Sequence, residues 1–335
     1  MGNRRMLAEW ENPSRILLAM PTEFTDWDYI LPDAIKQYES LLSALAEGKE
    51  CIIMLSHTPL SPALEKIMAL PFNRVIKEIP YNDTWTRDYG PITVDTPHGL
   101  RELDFGFNGW GLKFAADEDN LVNWRMSNPG YENHRDFILE GGSIETDGKG
   151  TILTTSRCLC SLNRNGGKSK PEIEAILAER LGAERVLWLD HGFLAGDDTD
   201  SHIDTLARMA PGDTIVYVAP PEDSSDMHFA ELSKMEEQLK GFVTSKGEPF
   251  RLIPLPFPDP IYDDDGGRLP ATYANYLVTR HNLFIPVYGQ PAKDKEAVKA
   301  ITKAFPKHKG VFTVDCRTLI RQHGSLHCST MQLYH

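Results

Sequence analysis

Four reactive residues stand at matching places along this chain. Asp88, Glu140, His202 and Cys328 each lie where a polar loop runs into a short apolar stretch. The stretches are Arg87-Asp-Tyr-Gly-Pro-Ile-Thr-Val94, Glu140-Gly-Gly-Ser-Ile-Glu-Thr146, His202-Ile-Asp-Thr-Leu-Ala-Arg208 and His327-Cys-Ser-Thr330, with Asn275-Tyr-Leu-Val278 as a fifth of the same form. The gaps are 52 from Asp88 to Glu140, 62 to His202 and 126, twice 63, to Cys328. A thiol, an imidazole and carboxylates together suit nucleophilic attack on a cation. The thiolate is the nucleophile and calls for an electropositive neighbour. A paired His202 would be that neighbour and would move protons. Glu140 would hold the imidazole. Asp88 and Asp204 would receive a planar cation through paired, charge-assisted hydrogen bonds. On a strand, His202 and Asp204 would share a face.

Each residue also has an ordinary reading. Free cysteine is commonly buried for packing alone. Asp88 beside Arg87 could be a surface ion pair of little energy, and Glu140-Gly-Gly a plain turn. His202 with Asp200 and Asp204 could ligate a metal, but no second histidine stands at ligand spacing. His134, His191, His281 and His323 read as structural or surface residues. Asp263-Asp-Asp-Gly-Gly267 mimics a calcium loop without its glutamate. Trp85, Trp110 and Trp124 could be core. Jointly, these readings need four unrelated accidents at equivalent positions.

The elements that would position the set follow from periodicity. Arg15–Met20 is an apolar run closed by Pro21. Residues 33–46 carry Ile35, Tyr38, Leu41, Leu42 and Leu45 on one helical face. Strands follow at 51–55 and 74–79, with a short helix at 62–70. The unit strand, turn, strand, helix, strand then recurs from Glu140, from His202 and from Ala274, and with an insertion from Pro91. Its helices are expected at 171–181, 226–244 and 293–305. A fifth unit is split, its first strand at 325–333 and its remainder at 15–79. Such repeats mark radial architectures. The expectation is an α/β fold, a five-bladed pseudo-symmetric propeller sewn together by both ends of the chain. Two doubly wound lobes would give a similar string.

The bulk composition narrows the partners. The formal charge is −13, which disfavours nucleic acid and anionic membrane surfaces and favours a small cation. Hydrophobic residues make 41% of the chain, enough for a sizeable core. Five cysteines without a Cys-x-x-Cys pair argue against a disulfide framework or a zinc knuckle, and suit a reducing compartment. No apolar run is long enough to span a membrane, and no secretory signal opens the chain.

Four motifs carry a resemblance. Trp85-Thr-Arg-Asp-Tyr-Gly-Pro91, Leu139-Glu-Gly-Gly-Ser-Ile144, Asp197-Asp-Thr-Asp-Ser-His-Ile-Asp204 and Gly324-Ser-Leu-His-Cys328 are similar to those of agmatine deiminases, the bacterial and plant-type branch of the peptidyl-arginine deiminase family. The resemblance implies one deiminase domain over 1–335, a ring of five ββαβ-type units, and no metal or organic cofactor. It implies a cytoplasmic hydrolase of linear amidines, making N-carbamoylputrescine and ammonia from agmatine in polyamine and putrescine biosynthesis. Arginine, methylated arginine or peptidyl-arginine are the alternative substrates. Homo-oligomerisation is compatible with it. Residue by residue, Cys328 resembles the nucleophile, His202 the general acid and base, and Glu140 its partner. Asp88 and Asp204 resemble guanidinium clamps, Asp198 a further substrate-site acid, and Trp85 and Trp110 walls of the funnel. The chain departs from the family pattern at Ser201, where glycine is expected, and at Gly324-Ser325, where Gly-Gly-Asn is commoner. An arginine-type substrate would need a cation for its carboxylate, and Arg87, Arg208 and Arg268 are the candidates.

Overall fold

The structure is a computed structural model and describes residues 4–57, 65, 67, 73–127 and 130–334. The described residues form a mixed α/β fold with five small sheets. Strands β1 to β17 are numbered here in chain order.

The expected unit is present five times. In one sheet β8 (Ile144–Thr146) pairs antiparallel with β9 (Thr151–Thr155), which pairs parallel with β10 (Arg185–Leu189). The same order joins β11 (Ala207–Ala210), β12 (Thr214–Val218) and β13 (Arg251–Leu255). It joins β14 (Leu277–Val278), β15 (Asn282–Val287) and β16 (Gly310–Asp315) again. The fourth sheet holds β5 (Ile92–Asp95), β6 (Arg101–Gly106) and β7 (Glu132–Ile138), with β1 (Arg5–Met6) added at its edge. The fifth joins the two ends of the chain. There β17 (Met331–Leu333) lies antiparallel to β2 (Arg15–Ala19), with Met331 opposite Leu17. Parallel β3 (Ile52–Ser56) and β4 (Arg74–Glu78) follow.

A parallel step needs a crossover, and in four of the sheets a described helix supplies it. The helix Leu31–Glu47 turns Ala34, Ile35, Tyr38, Leu41, Leu42 and Leu45 inward. That stripe follows the 3.6-residue period, and each buried leucine contributes about 1.5–3 kcal/mol. The helix Lys170–Leu181 opens with a capping box between Ser169 and Glu172 and ends on left-handed Gly182. Phe229–Lys240 and Pro291–Ala304 cross over in the next two units. Of the short helix expected at 62–70, only residues 65 and 67 are described, and both are helical.

Two expectations about the strands fail in an informative way. The C-terminal strand does not begin at Ser325: residues 326–329 are turns, and only Met331–Leu333 is extended. His202 to Met209 is not one strand either, since Ile203–Thr205 forms a 3-10 turn before β11. Polar side chains capture the backbone here. The hydroxyl of Thr205 donates to the His202 carbonyl at 2.8 Å, and that of Thr330 donates to the Leu326 carbonyl at 3.1 Å. Threonine bonds of this kind compete with the ladder. Equivalent helical turns, Thr86–Tyr89 and Gly141–Ser143, precede β5 and β8. Every reactive residue therefore sits on or beside a turn that opens a unit.

Candidate active site

Cys328 stands among those turns and is 5% exposed. Its sulfur accepts from Asn275 Nδ2 at 3.2 Å and lies 3.8 Å from Asp204 Oδ2. Asn275 Oδ1 accepts from the backbone N–H of His327 at 2.8 Å and of Cys328 at 3.2 Å. One amide thus fixes both the backbone and the sulfur of the nucleophile candidate.

His202 is fully buried, with Nδ1 3.5 Å from Asp88 Oδ1 and Nε2 3.8 Å from Glu140 Oε2. Neither nitrogen has a hydrogen-bond partner. Glu140 is held from behind: Arg164 Nε donates to both carboxylate oxygens at 2.9 Å. Arg164 also donates to Asp200 Oδ2 at 2.6 Å and to the Thr199 carbonyl at 2.9 Å. Asp88 accepts from Trp110 Nε1 at 2.8 Å and from the Gly142 N–H at 3.0 Å. Gly142 marks the point of convergence. A Cβ there would meet His202 Nδ1 at 2.7 Å, Asp88 Oδ1 at 2.8 Å and Asp204 Oδ2 at 3.0 Å.

Electrostatics separates the groups. Burial raises the Cys328 thiol, and the Asp204 and Asp88 carboxylates raise it further, well above its ordinary value. Burial alone would lower His202, but Asp88, Cys158 and Glu140 outweigh it and hold the imidazole well above its ordinary pKa. Burial also pushes Glu140 and Asp204 up, yet both lie below the usual value. His202 and Arg164 offset it for Glu140, and His327 for Asp204. Asp88 is raised, because burial and the nearby Asp204 exceed the pull of His202 and Trp110. The side-chain groups hydrogen-bonded to the Cys328 sulfur are an amide and a carboxylate.

The cleft above Cys328 encloses about 610 Å³, its open mouth included. Asp26, Asp83, Asp88 and Asp198 line it with Trp85, Trp110, Phe114 and His323. Burial raises the Asp83 carboxyl to about 7, and Asp26 adds to it. Trp85 packs against Gly324, where a Cβ would fall 2.4 Å from the indole ring. Trp110 adopts φ 54° in a left-handed loop, a costly conformation for a bulky residue. Asp198 stands at the rim, 3.8 Å from His323 Nδ1. His323, read from sequence as structural or surface, is part of the lining.

The three candidate arginines are committed elsewhere. Arg87 and Arg208 are buried against Glu9, and Arg268 pairs with Asp226. No lysine or arginine lines the cleft among the described residues. Asp200 serves Arg164 and Lys113 rather than a metal. Glu140, Cys158 and His202 do bring three donor atoms within 4.8 Å of one another, but Arg164 already occupies Glu140. Glu9, Glu145 and His327 form a second such group, filled by Arg208.

Sequence reasoning missed Asn275, Arg164, Cys158, His327 and Glu9. Two carried a usable signal: Asn275 heads the fifth aligned stretch, and His327 precedes Cys328. Arg164 and Glu9 stand in no repeated position. Ser201, in place of the expected glycine, takes φ 64° with its buried hydroxyl unpartnered. The departure leaves the left-handed turn in place.

Known proteins match this chain over its whole length. The profile of the Porphyromonas-type peptidyl-arginine deiminase family matches residues 5–333. A solved structure provisionally described as a peptidyl-arginine deiminase is 44% identical, with TM-score 0.94 and 100% of both chains covered. C. jejuni agmatine deiminase, solved as a cysteine-to-serine variant with substrate bound, is 36% identical with TM-score 0.90, covering 99% of this chain and 96% of that one. Agmatine deiminase of Pseudomonas putida is 31% identical over 98% of this chain and 94% of its own length. The chain belongs to the Porphyromonas-type peptidyl-arginine deiminase family.

Proposed function

We propose that this chain is a hydrolase that converts agmatine and water to N-carbamoylputrescine and ammonia, through a covalent thiouronium on Cys328. The observation that carries the reading is the cleft: Cys328 on its floor, four aspartates in its lining, and no lysine or arginine among the described lining residues. Agmatine is cationic at both ends. Arginine would bring a carboxylate to a surface that has acids and no cation for it. The C. jejuni relative, named agmatine deiminase and captured with substrate after a cysteine-to-serine change, supports the same reading.

The guanidinium docks between Asp88 and Asp204, whose charges otherwise keep the thiol protonated. Its positive charge offsets theirs, and Cys328 loses its proton to solvent. The sulfur bonds to the guanidinium carbon. His202, protonated beforehand, gives its proton to one amino group. That C–N bond breaks, and ammonia leaves behind a thiouronium cation. The neutral His202 then takes a proton from water as the oxygen bonds to carbon. Loss of the hydroxyl proton and cleavage of the C–S bond yield the ureido product and the Cys328 thiolate. Of the two protons given to solvent, one returns to the Cys328 thiolate and ammonia takes up the other, so the cycle balances. Glu140, fixed by Arg164, orients His202, and Asp198, Trp85 and Trp110 bound the substrate. Nucleophile, proton carrier and charge partners are all side chains, so the chemistry calls for no metal or organic cofactor.

The five three- and four-stranded sheets, with β17 on β2, support a five-bladed ring forming a single domain, its loops converging on Cys328. Five unpaired cysteines suit the reducing cytoplasm. Ammonia release from agmatine, arginine and an arginyl peptide, by wild type and Cys328→Ala, tests the proposal. Agmatine should be preferred by at least about 100-fold, as for a site that leaves a buried charge unpaired. Preference for arginine, or turnover by Cys328→Ala, would reject it.

A further inference from the structure

Asp204 keeps one oxygen, Oδ2, beside Cys328; Asn275 Nδ2 donates to it at 3.3 Å, and His327 holds it more closely. His327 Nδ1 lies 2.7 Å from Asp204 Oδ2, and Nε2 lies 2.6 Å from Glu9 Oε1. His327 is 1% exposed and is absent from the lining of the cleft. Glu9, just beyond β1, is gripped by Arg208 Nη2 at 2.5 Å and Arg87 Nη1 at 3.1 Å. Arg208 Nη2 also stands 3.0 Å from His327 Nε2. Arg208 is itself fixed by Glu145 and by the carbonyls of Ala274 and Tyr276. A chain of short contacts therefore runs from Glu9 through His327 to Asp204 and its neighbour Cys328. The other oxygen of Asp204, Oδ1, is buried without a partner.

We propose that His327 is a positioning residue: anchored by Glu9, it clamps one oxygen of Asp204 and leaves the second presented to the substrate guanidinium. This rests on Asp204 receiving the guanidinium as described above. An aspartate's terminal torsion is broad and has no strong preference of its own, so its partners set the plane of the carboxylate. Charge-assisted bonds of this length are about twice as strong as neutral ones. Asp204 lies below the usual carboxylate range, burial notwithstanding, because of His327. Asp88, whose imidazole neighbour His202 stands at 3.5 Å without a hydrogen bond, lies above it. The clamp thus keeps one of the two substrate carboxylates ionised and aimed before substrate arrives.

Three substitutions separate a clamp from a packing role. Asparagine places an amide nitrogen near the position of Nδ1, glutamine near Nε2, and leucine fills the space with neither. Steady-state kinetics with agmatine and melting temperatures are measured for His327→Asn, His327→Gln and His327→Leu. The KM of His327→Gln and His327→Leu should rise about 10- to 100-fold, with kcat falling less, while His327→Asn stays within about threefold of wild type. The clamp is overturned if His327→Gln does as well as His327→Asn, if KM simply follows melting temperature, or if nothing changes. Absence of agmatine turnover by the wild type would defeat the functional reading alone. Crystal structures of wild type and His327→Leu then decide: the Asp204 carboxylate should rotate away from Asn275 and Cys328 in the variant, and an unmoved carboxylate overturns the proposal.

Discussion

Gly142→Ala puts one carbon where three working groups converge. The new atom would lie 2.7 Å from His202 Nδ1, 2.8 Å from Asp88 Oδ1 and 3.0 Å from Asp204 Oδ2. Ordinary contact begins near about 3.5 Å, so each group must retreat by roughly 0.5–0.8 Å. Gly142 is not among the glycines with positive φ, so its backbone accepts alanine. The penalty therefore falls on the site. A displacement of about 1 Å at reacting groups costs about 100-fold, or about 2.7 kcal/mol of barrier. Overpacking costs about 1–3 kcal/mol of stability, partly offset by the about 0.4–1 kcal/mol that alanine gains over glycine in the unfolded chain. For a chain of this size that is a melting shift of only a few degrees. The assay is kcat/KM for agmatine beside a calorimetric melting temperature. Gly241→Ala, where φ is −81° and the nearest atom is 3.3 Å away, serves as the control: it should leave kcat/KM unchanged and raise stability by no more than about 0.4–1 kcal/mol. Activity of Gly142→Ala within about threefold of wild type, at unchanged stability, would refute the claim that these groups act together.

Three further outcomes follow from the charges. Cys328 should be alkylated slowly in the free enzyme, at a rate still rising with pH beyond the ordinary thiol range of about 8.5, because burial and then Asp204 and Asp88 favour the neutral thiol. Asp204→Asn removes one of those charges and should speed modification of the Cys328 peptide at about pH 8 by about tenfold or more; a rate plateau in the wild type below that range would contradict this. Arg164→Gln should destabilise the fold by about 3–5 kcal/mol, since it leaves Glu140 buried beside a neutral amide. In the wild type, the depressed pKa of Glu140 adds stability above its unfolded value of about 4.3, and this is lost as pH falls through the folded value. Arg164→Gln should lose that contribution, as read from melting curves across acid pH; an unchanged acid limb would count against the pairing.

What the sequence made legible is what repeats. The unit of two antiparallel strands and a parallel third could be read from apolar runs and turn residues, and Asp88, Glu140, His202 and Cys328 fell at its equivalent openings. The same alignment held Asn275, which touches the Cys328 sulfur at 3.2 Å, but an amide carries no reactivity of its own to mark it. Arg164 and Glu9 act at long range in the chain, 24 residues from Glu140 and 318 from His327, and no local pattern encodes either pairing. The turns that carry the site read as strand because their polar residues also suit a pleated edge. Hydroxyl bonds to the backbone, as from Thr205 to His202, decide between the two forms. The edge strand Arg5–Met6 has two residues and leaves no period to detect.

The attack of sulfur on agmatine can be observed directly. Wild-type protein mixed with agmatine, quenched in acid during turnover and digested, should yield the Cys328 peptide carrying agmatine less one ammonia. The Cys328→Ser protein should yield no such adduct and release no ammonia. Sustained turnover with Cys328 unmodified throughout, or ammonia release by Cys328→Ser at the wild-type rate, would contradict the account.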